Sequence, residues 1–172
     1  MTLTVTAECK HYADRLRGLA AYVLGATKDD LTQEQAVFQL NGCKSNIAWV
    51  IGHLTLTLDH DLLSIIDGTP KLPESFNTKY NHGVIPTNNP DDYEPINELI
   101  AKFQETSERV AACIEEMDPA LLDREIPEES LVRQIATTPR AFIDAITYHS
   151  GYHAGQITML RAEQGLPAGY GM

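Results

Sequence analysis

Basic residues are scarce in this chain, cysteines are few, and no hydrophobic run is long. Lys and Arg number 13 against 24 Asp and Glu, a formal net charge of −11 with a pI near 4.8. So negative a surface is repelled by nucleic acid phosphates and anionic lipid, which argues against nucleic acid and membrane partners. The three cysteines, Cys9, Cys43 and Cys113, are scattered, odd in number and without a CxxC pair. That usage rules against a disulfide framework or a cysteine-built zinc site and suits a reducing cytoplasm. No apolar run approaches the roughly 20 residues of a membrane helix. The segment from Met1 to Glu8 lacks the basic start and apolar stretch of a secretory signal. No GxSxG, P-loop, GxGxxG or kinase signature occurs, which removes the common nucleophile-elbow and nucleotide sites. The expected setting is cytoplasmic, with a small-molecule substrate.

What remains is an ordinary globular composition, 43% hydrophobic over 172 residues. One domain spanning 1–172 is the simplest reading, long enough to bury roughly 70% of its unfolded surface. Helical periodicity dominates. Tyr12, Leu16, Leu19, Ala20 and Val23 predict a first helix from Thr4 to Leu24, stopped by Gly25. Lys28 to Gln35 holds at most one helical turn. Ser45 is the expected N-cap of a second helix from Asn46 to Asp67, whose core stripe runs through Ile47, Ile51, Leu54, Leu58, Leu62 and Ile65. Thr69 to Tyr93 is rich in Pro, Asn and Asp, has no clear period and reads as a long connection that can lie over a site. A third helix follows Pro95 and ends at Asp118-Pro119. Leu131 to Ile135 reads as a brief extended segment. Thr138-Pro139 is a cap and first-turn signal for a last helix reaching Gln164, with Gly165 and Pro167 as stops. Four long amphipathic segments with unequal connections predict an all-α four-helix bundle with long crossovers.

The sharpest motif lies in the last helix, at Tyr148-His149-Ser150-Gly151-Tyr152-His153-Ala154-Gly155-Gln156. His149 and His153 share a face, about 6 Å apart along the axis, so two imidazoles can reach one ion. His53 lies in the second helix, on a polar stripe with Asn46, Trp49, Thr57, His60 and Ser64. Facing helices pack about 8–10 Å apart, a gap that inward histidines can bridge through one metal. Three neutral imidazoles leave further coordination positions open, as a reactive site requires. Such an ion can hold a thiol as thiolate or ionise a bound water. The residues alone do not choose between the two.

Trp49-Val50-Ile51-Gly52-His53-Leu54, followed much later by His149-Ser150-Gly151-Tyr152-His153-Ala154-Gly155-Gln156-Ile157, resembles the DinB-like (YfiT-like) superfamily of metalloenzymes. The resemblance covers roughly Ser45 to Pro167, and Leu122 to Pro127 looks like the connection before that family's last helix. It implies a DinB-like four-helix bundle in which His53, His149 and His153 bind a divalent ion, commonly zinc or nickel. It further implies thiol-dependent S-transfer, since relatives include S-transferases and a maleylpyruvate isomerase that use bacillithiol or mycothiol. Homodimers are frequent in the family. The expected function is therefore a metal-dependent S-transferase using a low-molecular-weight thiol on small electrophiles. The alternatives are a metal-dependent hydrolase at the same site and a non-catalytic metal-binding stress-response dimer.

His60, Gln156 and Tyr152 are the candidate pocket residues around the ligands, His60 also as a general base. Tyr148 and Trp49 read chiefly as packing residues, and Gly155 as a point of close helix approach. Asp59 and Asp61 read as a solvated helix face, Asp61 with reach to an imidazole N–H. Cys43 is the cysteine nearest a rim, and His11 and His82 have no identified partner.

Overall fold

The structure is a computed structural model that describes residues 5–28, 30–41, 44–167 and 169. Six helices and no strand occur among them. They are α1 (Val5–Thr27), α2 (Gln33–Ala36), α3 (residues 47–65), α4 (Glu74–Tyr80), α5 (Ile96–Glu116) and α6 (Pro139–Glu163). The α1 and α3 helices each pack chiefly on α5 and α6, and so take opposite corners of an all-α four-helix bundle. Of the successive long helices only α3 and α5 are neighbours; α1 and α3, and likewise α5 and α6, stand at opposite corners, which is why those connections must cross over. Ala13, Leu16, Val23, Ile51, Leu54, Leu99, Phe103, Val110, Ile143 and Ile157 fill the interior. No helix of the described residues is long and apolar enough to cross a membrane.

The long helices fall where periodicity put them, but their ends are set by local chemistry. The first runs through Gly25 to Thr27, because Ala26 and Thr27 are fully buried. It stops at Lys28, whose φ of 53° turns the chain out of the helix. Asn46, not Ser45, caps α3: its side-chain oxygen accepts the Trp49 N–H at 2.8 Å. Its amide then donates to Thr87 O and Tyr93 Oη, tying down the connection after α4. The α6 cap is Thr138 as expected, accepting from Ala141 N at 3.3 Å. Gly165, at φ 69°, closes that helix, where a side chain would be strained.

Three departures matter for function. The aperiodic stretch contains a helix, α4, whose Phe76 and Tyr80 lie one turn apart and are both buried. Leu131–Gln134 is a 3₁₀ turn rather than an extended segment. Finally, α3 is not uniform. Ile47–Leu56 is α-helical, Thr57–Leu62 is a π turn, and Leu63–Ile65 returns to α geometry. A π turn carries one extra residue per turn of hydrogen bonding and so rotates everything after it, and such turns occur frequently at functional sites.

Candidate metal centre and its cavity

The centre joins α3 to α6, which the bundle makes neighbours. His53 projects from α3, while His149 and His153 project from α6 one turn apart. His53 Nε2 lies 3.3 Å from His149 Nε2, and His153 Nε2 lies 3.0 Å from the same atom. One nitrogen from each of the three falls within 4.8 Å of the others. His53 and His153 are buried and His149 is half-buried.

The other ring nitrogens explain the arrangement. His53 Nδ1 donates to the Tyr80 carbonyl at 3.0 Å, and a carbonyl can only accept. His153 Nδ1 donates to Gln156 Oε1 at 2.7 Å, while Gln156 Nε2 donates to Tyr152 Oη at 2.9 Å. Both rings therefore carry their proton on Nδ1 and present a bare lone pair at Nε2. His149 Nε2 can donate one proton to one of them. The remaining lone pair then meets no donor, an unfavourable contact in a buried place. Desolvation moves all three away from the protonated form. It pushes His53 down to about 4 and His153 to about 3, with the neighbouring imidazoles adding to the effect, and lowers His149 as well.

A cation fits this cluster. Metal–nitrogen bonds of 2.0–2.1 Å at tetrahedral to right angles put ligand nitrogens about 2.9–3.4 Å apart. The two close separations already lie in that range. Hydrogen bonds from Nδ1 to a carbonyl and to an amide oxygen are the usual outer supports of ligating histidines.

Aromatic packing fixes His53 further. Trp49 stacks on its ring with centroids 4.7 Å apart and planes 7° from parallel. Gly52 provides the space for Tyr80: a Cβ there would sit 2.2 Å from the Tyr80 ring. Tyr80 is fully buried and donates its hydroxyl to Glu94. Burial, then that hydrogen bond, raises its pKa. Trp49 and Gly52 of the Trp-x-x-Gly-His stretch thus both serve the orientation of the His53 imidazole.

A cavity of about 190 Å³ opens beside the histidines. Leu56, Ile135, Phe142, Ala145 and Ile146 make its apolar wall, and His53, Thr57, Asp61, Asn81, His82 and His149 its polar one. Of the pocket residues expected from sequence, His60, Gln156 and Tyr152 are not on this wall. Gln156 stands behind His153, and Tyr152 is largely exposed behind Gln156. His60 loses its place to Asp61 because the π turn advances each residue by less than the α-helical 100°. Position 61, which uniform α geometry would carry past the His53 face, falls back onto it.

The two carboxylates near His60 also depart from a solvated face. Asp59 is fully buried, pairs with Arg109, and accepts the backbone N–H groups of Lys71 and Leu72. Asp61 lines the cavity. Gly155 makes no close helix contact within the chain, since nothing lies within 4 Å of where its Cβ would be. His82 borders the cavity and lies near enough to His53 and His149 to lower both. His11 stays exposed against Tyr12, and Cys43 lies outside the described residues.

Fold and centre together define a class: an all-α bundle with three imidazoles converging between facing helices. The DinB superfamily model matches residues 15–157, and the chain belongs to that superfamily. No curated protein matches it.

Proposed function

We propose that this chain is a divalent-metal-dependent enzyme in which His53, His149 and His153 hold one zinc or nickel ion. Its reaction is transfer of a low-molecular-weight thiol to a small electrophile. The observation that carries this reading is the cavity. It opens onto two of the three histidines, so a substrate can approach the centre directly. A purely structural or storage site has no need of such an opening.

The residues divide the work. The Tyr80 carbonyl and Gln156 keep His53 and His153 in the tautomer that offers Nε2 inward. Trp49 holds the plane of His53. Leu56, Phe142 and Ile146 keep water from one side of the cavity and favour an apolar electrophile. A bound divalent ion would supply Lewis-acid chemistry there, holding a thiol as thiolate near neutral pH.

The surface of α6 supports the family's habit of pairing. Tyr148, Tyr152, Gly155 and Met159 recur at helical spacing on an exposed face, Tyr148 being 80% exposed. A homodimer through this face accounts for large apolar side chains left in solvent.

The test is turnover of a small electrophile by protein loaded with zinc or nickel. Reaction only when thiol and metal are both present is the expected result. Hydrolysis of an ester or amide without thiol would replace S-transfer by the hydrolase reading. No turnover of either kind by loaded protein would leave a non-catalytic metal-binding dimer.

A further inference from the structure

Two carboxylates sit two residues apart on the π turn of α3 and have opposite fates. Asp59 is saturated by a guanidinium and two backbone donors. The Asp61 carboxylate has no hydrogen-bond or ion-pair partner among the described residues, and it borders the cavity. Its surroundings there include Leu56, Ile135, Phe142 and Ile146. A half-buried carboxylate beside an apolar wall and without a donor costs stability. The π turn that aims it inward is itself a rare geometry. Position 61 also lies eight residues beyond His53, roughly 12 Å further along the helix axis.

We infer that Asp61 is the anchor for a cationic group, a protonated amine, at the end of the substrate remote from the reacting centre. The substrate class is a small molecule with an apolar body, an ammonium at one end and its reactive group at the other. This inference rests on the reading of the cavity as a substrate site. The cavity volume, below the roughly 300–1,000 Å³ of drug-sized sites, limits the body to a small one. Burial pushes the Asp61 carboxyl up to about 6, so it is ionised at neutral pH and desolvated enough to gain from a counter-charge. A ligand ammonium would supply the donors it lacks, in a charge-assisted hydrogen bond. Thr57 and Asn81, also on the wall, are neutral and leave the charge selection to Asp61.

The experiment uses hexylamine, hexanol and hexanoate as probes, which share one body and differ in head group. Binding is measured by calorimetry on the metal-free full chain at about pH 7.5, where the amine is protonated. Metal stoichiometry is measured separately on zinc-loaded portions of the same preparations, so failure of the metal reading registers independently. Hexylammonium should bind at least about tenfold more tightly than either relative. In Asp61→Asn that preference should fall within about twofold, with metal stoichiometry unchanged. Equal affinities in the wild type, no binding of any probe, or a preference that survives in Asp61→Asn would each overturn the assignment.

Discussion

Two polar clusters are buried in this bundle, and they are built on different terms. At the Asp59–Arg109 cluster each charge has an answer: the carboxylate meets a guanidinium and the backbone N–H groups of Lys71 and Leu72. The histidine cluster is arranged the other way. Its outer nitrogens are satisfied by Tyr80 and Gln156, and its inner nitrogens are aimed at one another. Burial of the first stabilises the chain fold, since it pins the segment after α3. Burial of the second has a cost that only a further species can remove. A buried polar cluster with every group answered is architecture, and one with convergent unanswered lone pairs is a site.

That contrast can be broken at either end. Replacing Arg109 by Ala leaves Asp59 charged, buried and short of its main partner. The expected loss is about 3 kcal/mol or more of folding stability, read by denaturant unfolding, with metal stoichiometry unchanged in the folded fraction. Gly52→Ala drives a methyl group into the buried Tyr80 ring. It should cost about 1–3 kcal/mol and also weaken metal binding, because Tyr80 carries the carbonyl that orients His53. Gln156→Leu tests orientation alone. It should leave the fold intact and weaken metal affinity by about 10–100-fold in a competition titration.

A further test is the pH response of the metal-free protein. His53 and His153 are depressed in the fold to about 4 and about 3. The unfolded chain takes up protons first, below about pH 6.5, so these two groups lose stability as pH falls from there toward 4. Asp61 works in the opposite direction, because its folded value is raised to about 6 and it gains stability on protonation. Thermal melts should therefore show a declining midpoint below about pH 6.5, flatter in His153→Ala and steeper in Asp61→Asn.

Much of this was legible in the sequence, for physical reasons. The long helices announce themselves by repeated apolar spacing, and Thr138-Pro139 announces the start of α6. His149 and His153 can be placed on one face from helix geometry alone. The outer support of His53 was not legible, because a backbone carbonyl such as that of Tyr80 is the same in every residue. The π turn was equally hidden, since its residues, Thr57 to Leu62, carry no Pro or Gly to mark it. Missing that turn put His60 where Asp61 stands. The short α4 left only the one-turn spacing of Phe76 and Tyr80 as its trace, too little against a background of Pro and Asn.

The central claim is that three imidazoles from two helices share one cation. The most direct measurement is divalent-metal stoichiometry by elemental analysis after zinc or nickel loading and desalting. It is made on tag-free wild type and on His53→Ala, His149→Ala and His153→Ala, each shown by circular dichroism to be folded. The account predicts one ion per chain in the wild type and loss of stoichiometric binding in all three variants. Full occupancy retained in any one of them would contradict it.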